Sequence, residues 1–234
     1  MKIGVLGGTF DPIHKGHLAI ARAAMAEYRL DKMWFMPAGD PYFKEGSGVS
    51  SPEIRLGMTR ACLDAFPDFF ECSDFEISDR EKTYSAITFD RLKRLYPEDR
   101  FYFVMGLDSL KSLHSWYRPE LLLRSAVILC AARPEARDDD TGAASGISGE
   151  LKALHEAAED LRETFASEKP DIRIIHTPMR DISSTQIREM VSRGEDISAL
   201  VTEEVRSYIE AHGLYRGQRP AKKMHYHAPI PEST

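Results

Sequence analysis

The sequence predicts an α/β fold: a doubly wound parallel sheet with helices on both faces and a small C-terminal helical part. Short apolar runs alternate with amphipathic helical patterns from end to end, which is typical of a parallel sheet with crossover helices. A glycine-rich loop joins the first apolar run to the first helical pattern. The chain ends in two helical patterns with no strand between them, and these form the expected C-terminal part.

The strands are predicted from short apolar runs, which are typical of strands buried in a parallel sheet. They are Lys2–Gly7, Lys32–Met36, Phe70–Ile77, Phe101–Met105, Ala126–Ala131 and Ile172–His176. The helices are predicted from amphipathic patterns at Gly16–Tyr28, Ser51–Phe66, Ala86–Tyr96, Pro119–Arg124, Glu150–Phe165, Thr185–Arg193 and Thr202–His212. Such sheets bind ligands beyond the carboxyl ends of their strands, at the point where the strand order reverses. We therefore expect the glycine-rich loop at that point.

Several predicted helices have recognisable ends. Ser51 stands before a proline and Thr202 before two glutamates, and both are typical N-caps. Gly194 and Gly213 stand where a helix is expected to stop. These positions give the expected bounds of the second helix and of the last two.

Composition restricts the class of protein. The 234 residues carry a net charge of −6, with 42% hydrophobic and 29% charged residues, so we expect neither a nucleic-acid-binding nor a membrane-binding surface. No apolar run approaches the roughly 20 residues that span a bilayer, and the N-terminal strand lacks a signal-peptide pattern. We therefore expect a cytoplasmic protein. Its three cysteines, Cys62, Cys72 and Cys130, lack a metal-ligand spacing and are predicted to be buried free thiols.

Two segments depart from the alternating pattern. Residues 137–149 are acidic and then rich in glycine, serine and alanine, which predicts a surface loop. Residues 217–234 contain three prolines and no apolar periodicity, and we expect them to be disordered. Residues 1–216 are then the folded domain.

The most informative segment is the loop Gly7-Gly8-Thr9-Phe10-Asp11-Pro12-Ile13-His14-Lys15-Gly16-His17. Its glycines allow a tight turn and close approach of the backbone to a ligand. The two histidines are three residues apart, so on the first turn of a helix they share one face. That turn also presents free N–H groups and the positive end of the helix dipole. Together these features predict a site for a polyphosphate.

The segment GTFDPIHKGH resembles the signature of the nucleotidyltransferase superfamily, whose members have a Rossmann-like fold. A second segment, Ile182-Ser183-Ser184-Thr185-Gln186-Ile187-Arg188, resembles that superfamily's ISSTxIR element. The spelling of the first segment and the chain length are most similar to the nicotinate-nucleotide adenylyltransferase family of bacteria. The resemblance implies transfer of the adenylyl group of ATP, accompanied by Mg²⁺, to nicotinate mononucleotide. The products are nicotinate adenine dinucleotide and pyrophosphate, in NAD biosynthesis.

The resemblance also implies roles for individual residues. His14, His17 and Arg188 are expected to be catalytic, with His17 acting most strongly in the transition state. The expected ATP-binding residues are Gly7, Gly8, Thr9, Phe10, His14, His17, Gly106, Asp108, Ile182, Ser183, Ser184 and Arg188. Asp108 would accept from the ribose or help to place magnesium; the alternative is that it caps the next helix. We expect no metal site built from protein ligands alone.

The acceptor nucleotide is expected at a second group of residues. They are Lys44, Thr83, Tyr84, Trp116 and Arg133. Phe43 stands where the family pattern often has a histidine, which weakens the case for a polar role there but leaves Lys44 in register. A tryptophan can stack on a pyridine ring and free N–H groups at a helix start can hold a carboxylate. The alternatives are that Trp116 belongs to the core and that Arg133 lies on the surface.

Other functions remain open from the sequence. The acceptor can be nicotinamide mononucleotide or phosphopantetheine instead. A non-catalytic nucleotide-binding module can use the same fold, although both histidines and the arginine are present. The sequence does not fix the oligomeric state and leaves a homo-oligomer open.

Overall fold

A computed structural model describes residues 1–39, 49–78, 84–131, 146–176 and 182–216. At its centre is a six-stranded sheet with the order β3-β2-β1-β4-β5-β6. Its strands are β1 (Lys2–Gly8), β2 (Lys32–Pro37), β3 (Phe70–Cys72), β4 (Arg100–Gly106), β5 (Val127–Ala131) and β6 (Ile172–Ile175). All five neighbouring pairs are parallel. The predicted doubly wound parallel sheet is confirmed.

Helices cover both faces of this sheet. They are α1 (Lys15–Tyr28), α2 (Pro52–Leu63), α3 (Ser85–Leu95), α4 (Leu107–Ser112), α5 (Pro119–Ser125), α6 (Gly146–Thr164), α7 (Ser184–Ser192) and α8 (Glu203–Ala211). One core lies between the sheet and α1, α2, α7 and α8, and the other between the sheet and α3, α5 and α6. Strand β4 shows why two cores form: Tyr102 and Val104 face the first, while Phe101 and Phe103 face the second.

The predicted helix ends are confirmed. The Ser51 hydroxyl accepts a hydrogen bond from the Ile54 amide at the start of α2. The Thr202 hydroxyl accepts one from the amide of Val205 in α8. Gly194 and Gly213 follow α7 and α8 with φ of 73° and 60°, a left-handed conformation that glycine adopts without a steric cost.

Three elements differ from the sequence prediction. The strand predicted over Phe70–Ile77 ends at Cys72, because Pro37 of β2 has no N–H with which to continue the ladder. Helix α6 begins at Gly146, so residues 146–149 are helical and not part of the predicted loop; extending an existing helix needs no new nucleus. Helix α4 was not predicted, because its six residues are too short to show a period. Residues 137–145 and 217–234 lie outside the described residues.

The cysteines are free, as predicted. Cys62 and Cys130 are buried, and Cys72 is partly buried. Burial raises the pKa of the Cys62 thiol to about 11 and that of the Cys130 thiol to about 12. These thiols are therefore protonated and unreactive at neutral pH.

Candidate active site

The strand order reverses at β1. Strands β2 and β3 lie on one side of it, and β4, β5 and β6 lie on the other. The loop that follows β1 and the turn that follows β4 therefore meet at the switch point of the sheet, where α/β folds bind ligands. The predicted position of the glycine-rich loop is confirmed, and the turn at Gly106 lies beside it.

The two histidines form a stacked pair at the start of α1. His14 is the N-cap residue of α1 and His17 is the third residue of the helix. Their ring centroids are 3.7 Å apart, with an angle of 26° between the planes. The backbone N–H of His14 donates a hydrogen bond of 3.2 Å to Nδ1 of His17. Because Nδ1 accepts, the ring proton of His17 is on Nε2, which can donate to a phosphate oxygen.

Phe10 packs against the histidine pair through the ring of His17. Its side chain is buried, and its ring meets the ring of His17 edge-on at 4.9 Å. The centroid of the Phe35 ring, on β2, lies 6.0 Å from that of the Phe10 ring. Phe10 has a φ of 50°, an unusual value for a residue with a side chain. Its ring packs against that of His17, and a contact of Phe10 with ATP stays a prediction.

The other glycine-loop residues line the end of β1. A Cβ on the exposed Gly7 would lie 3.4 Å from the Phe103 ring, and one on Gly8 would lie 3.1 Å from the Phe10 ring. The carbonyl of Gly8 accepts a hydrogen bond from the Ala38 amide at 2.9 Å. The close contact at Gly8 leaves little room for a larger residue.

The second motif docks onto the first. The hydroxyl of Ser184 donates to the carbonyl of Pro12 at 2.8 Å. Nη1 of Arg188 donates to the carbonyl of Asp11 at 2.6 Å. Ser183 is the N-cap of α7 and accepts from the amide of Gln186. Two motifs more than 170 residues apart in sequence thus contact each other directly.

Two further residues complete this junction. Nη2 of Arg188 also donates to the hydroxyl of Thr185 at 3.3 Å. Ile182 approaches α1 so closely that its Cβ lies 3.5 Å from the place a Cβ would take on Gly16. A Cβ on Gly16 would also lie 2.9 Å from Nδ1 of His14, so the absence of a side chain there leaves room for the His14 ring, while Ile182 is at an ordinary contact distance.

Arg55 was not predicted from the sequence, although it holds the site together. It is fully buried on α2, and its guanidinium donates to the carbonyls of Thr9, Ala38 and Gly39 at 2.7–2.8 Å and to that of Ser50 at 3.0 Å. These carbonyls belong to the segments after β1 and β2 and before α2. A signal was present, because the arginine shares the helix face of the buried Met58 and Cys62.

Asp11 and Tyr215 form a second unpredicted link. The Asp11 side chain is 1% exposed. Its Oδ1 accepts from the Tyr215 hydroxyl at 2.6 Å, and its Oδ2 accepts from the Ser50 amide at 3.1 Å. The carboxylate in the middle of the first motif therefore points into the protein and contributes to the shape of the loop.

Gly106 and Asp108 lie at the end of β4. A Cβ on Gly106 would meet no atom of the described chain within 4 Å, so the space above it is open. Gly106 itself is the N-cap of α4, and Asp108 lies exposed in the first turn. The alternative reading of Asp108 as the N-cap is therefore wrong.

The predicted acceptor residues are described only in part. Tyr84 is the N-cap of α3, and its ring lies 4.4 Å from that of Tyr117. Trp116 is partly buried against the second core, and its Nε1 donates to the Ser112 hydroxyl at 3.2 Å. Its ring is 6.4 Å from that of Phe103, which also lies below Gly7. Lys44, Thr83 and Arg133 lie outside the described residues.

Among the described residues, no three histidine, cysteine, aspartate or glutamate side chains are grouped closely enough to hold a metal ion. In the same part of the chain, no helix has both the length and the apolar character needed to cross a membrane. The groups described at the switch point that suit an anionic ligand are the two histidines, the helix N-termini and Arg188.

Comparisons with known proteins agree with this geometry. The model of the cytidylyltransferase-like family matches residues 5–190. A protein of Shewanella pealeana named probable nicotinate-nucleotide adenylyltransferase is 36% identical over 222 residues, which cover 95% of this chain and 99% of that protein. A protein of the same name from Exiguobacterium sibiricum is 38% identical over 215 residues, 92% of this chain and 99% of its own.

Solved structures show the same fold. The nicotinic acid mononucleotide adenylyltransferase of Plasmodium falciparum, solved in complex with NaAD, has a TM-score of 0.67 to this chain. The match covers 92% of this chain and 97% of that one at 20% sequence identity. At this identity the similarity concerns the fold.

Proposed function

Because the chain belongs to the cytidylyltransferase-like family, and within it to the nicotinate-nucleotide adenylyltransferases, we propose that it transfers the adenylyl group of ATP to nicotinate mononucleotide. The products are nicotinate adenine dinucleotide and pyrophosphate, in a step of NAD biosynthesis. The observation that carries this proposal is the docking of Ser184 and Arg188 onto the loop that presents the histidine pair.

The reaction needs positioning more than acid–base chemistry. A phosphate oxygen of the acceptor, ionised at neutral pH, attacks the α-phosphorus of ATP. A new P–O bond forms, the bond between the α-phosphorus and the bridging oxygen breaks, and pyrophosphate leaves with that electron pair. Such transfers are accelerated by alignment and by donors aimed at the developing charge. We assign this donor role to Nε2–H of His17, whose other ring nitrogen is held by the His14 amide.

Arg188 is proposed to hold phosphate oxygens beside the histidines. Its contacts with Asp11 and Thr185 within the described chain use two of the five N–H donors of a guanidinium. The remaining donors are available to a phosphate, and the contact with Asp11 fixes where they point. Arginine suits this task because its planar fork matches phosphate oxygens.

Magnesium is proposed to arrive with ATP. Mg²⁺ usually keeps several waters and binds through substrate phosphates with one or two carboxylates, and the described residues contain no ready-made metal cluster. The carboxylate of Asp108 is exposed in the first turn after β4, and it suits the role of a protein ligand of Mg²⁺. The metal would neutralise charge on the phosphates and on the leaving pyrophosphate.

The acceptor is proposed to bind on the side of Tyr84 and Trp116. The ring of Trp116 can stack on the pyridine, and the N-terminus of α3, which Tyr84 caps, offers free N–H groups to a carboxylate. Lys44, Thr83 and Arg133 remain proposed contacts of the same nucleotide. We expect the enzyme to act in the cytoplasm, where free thiols such as Cys62 stay reduced.

Pyrophosphate release tests the proposal. The protein is assayed with ATP and magnesium against nicotinate mononucleotide, nicotinamide mononucleotide and phosphopantetheine in parallel. A carboxylate only accepts hydrogen bonds, whereas an amide places an NH₂ against the donors. We expect kcat/KM for the acid to exceed that for the amide by roughly 10²–10³. Equal values, or a preference for another acceptor, would contradict the assignment, and ATP binding without turnover would indicate a non-catalytic module.

A further inference from the structure

Tyr215 connects the end of the described chain to its first motif. It follows α8 and Gly213, and its side chain is 3% exposed. Its hydroxyl reaches Asp11 across 204 positions of sequence. Its φ of 64° lies in the left-handed region, which is unfavourable for a residue with a side chain. The buried ring and the hydrogen bond to Asp11 stabilise this conformation.

Asp11 is held at both its side chain and its main chain. Tyr215 and Ser50 donate to the two carboxylate oxygens, and Arg188 donates to the carbonyl. The carboxylate is buried, so it does not face a ligand. Three residues later the chain reaches His14, whose amide holds the ring of His17.

We infer that Tyr215 is a positioning residue of the adenylyl-transfer site, whose hydroxyl acts through Asp11 to hold residues 11–14 in the geometry that orients His17. This inference rests on the proposed function. Few contacts connect the Tyr215 hydroxyl to the His17 ring. They are the hydrogen bond to Asp11, the loop from Asp11 to His14, and the hydrogen bond from the His14 amide to His17. The segment after the last helix is thereby part of the active-site framework.

The hydroxyl matters separately from the ring. Phenylalanine fills nearly the same volume, so Tyr215→Phe keeps the packing and removes one donor from a buried carboxylate. Such a loss allows the carboxylate to turn towards another donor. Burial, and then the neighbouring Asp11, raise the pKa of Tyr215 well above its usual range. The phenol therefore stays a donor throughout the pH range of the assay.

Kinetics of Tyr215→Phe test the inference, with Tyr208→Phe as the matched control. Tyr208 is a tyrosine of α8 whose ring stacks on that of His212 and whose hydroxyl lies against Gly57 of α2. We expect Tyr215→Phe to lower kcat about 10- to 100-fold, as a small misplacement of a reacting group does, with KM changed less than about threefold. The control should keep kcat within about twofold.

The same substitution in a His17→Ala background separates positioning from stability. If Tyr215 acts through His17, its effect disappears when the histidine is absent, and we expect less than about a threefold further loss. An equal loss of kcat in both backgrounds would show a general structural role and overturn the inference.

A measurement without substrate keeps the inference independent of the proposed reaction. In protein labelled with ¹⁵N-histidine, the ring nitrogens of His17 should report the Nε2–H form in wild type and in Tyr208→Phe, and a mixture of forms in Tyr215→Phe. Unchanged His17 signals in folded Tyr215→Phe would overturn the inference even if adenylyl transfer is confirmed. If the wild type does not transfer the adenylyl group, but the His17 signals still differ between Tyr215→Phe and wild type, only the proposed function is contradicted. If Tyr215→Phe unfolds, the double variant Asp11→Asn/Tyr215→Phe, in which the carboxylate that lost its donor is replaced by an amide, enters the same comparisons.

Discussion

The main-chain N–H of His14 donates a hydrogen bond to Nδ1 of His17. This hydrogen bond ties the orientation of the second imidazole to the backbone geometry at the N-cap of α1. Because Nδ1 accepts, the neutral imidazole carries its proton on Nε2 and can donate from that atom. His17 is in the first turn of α1, and the free N–H groups of that turn suit the polyphosphate that we propose to bind there.

We expect His17→Ala to fold normally and to lose roughly two to three orders of magnitude in turnover. Removing one donor that acts on developing charge typically costs about 3–4 kcal/mol in the barrier. Circular dichroism checks the fold, and pyrophosphate release gives kcat. Turnover close to wild type in a folded variant would exclude His17 from the role of charge-stabilising donor.

Gly106→Ala is expected to leave stability unchanged and to raise KM for ATP about tenfold. A Cβ there meets nothing within the described chain, so it can only intrude on space that a nucleotide occupies. Thermal unfolding and the ATP dependence of the rate measure the two effects.

Gly39→Ala is the control for Gly106→Ala, because we expect it to change stability. Its Cβ would lie 2.3 Å from the carbonyl oxygen of Glu76, so we expect a loss of about 1–3 kcal/mol of stability from overpacking. A stable Gly39→Ala protein, or an unchanged KM in Gly106→Ala, would show that the two glycines do not have these roles.

Arg55→Met is expected to lower the free energy of unfolding by about 3 kcal/mol or more, because each buried acceptor left without its donor costs about 1–3 kcal/mol. Four carbonyl oxygens lose their charged donor. Arg60→Met on the same helix removes a half-exposed ion pair with Asp74 and should cost less than about 1 kcal/mol. Urea unfolding measures both, and similar losses in the two variants would contradict the bracing role of Arg55.

Glu76→Gln is expected to stabilise the protein at neutral and alkaline pH. Burial raises the pKa of the Glu76 carboxyl, against the opposing effect of a 2.8 Å hydrogen bond from Thr88. A carboxyl with a raised pKa contributes stability below its unfolded pKa and loses it as the pH rises through the folded value. The melting temperature of the variant should therefore exceed that of wild type at about pH 8, and the difference should vanish near about pH 4.

The exposed Glu163 on α6 provides the control for that experiment. Glu163→Gln should change the melting temperature little at either pH, because substitutions of exposed side chains away from structural contacts change stability by less than about 0.5 kcal/mol. A difference between Glu76→Gln and wild type that does not depend on pH would indicate altered packing instead of titration.

The order and type of the longer elements were predictable from local patterns. Strand β4 follows from an apolar run, and helix α8 follows from the capping residue Thr202 just before it. The shortened β3 was not predictable, since its end depends on Pro37 in the neighbouring strand. The short α4 was missed because its stability comes from burial of Leu110 against the core more than from its own sequence.

The sequence by itself determined the chemistry of the site: two histidines at helical spacing, a glycine turn, and a serine-capped helix with an arginine. Only the tertiary structure decided how these groups are held, because the supporting contacts join positions far apart in sequence. Arg55 and Tyr215 look like an ordinary helix arginine and an ordinary C-terminal tyrosine. Their roles appear once folding brings them to Thr9 and Asp11, since burial without water makes each such hydrogen bond costly to lose.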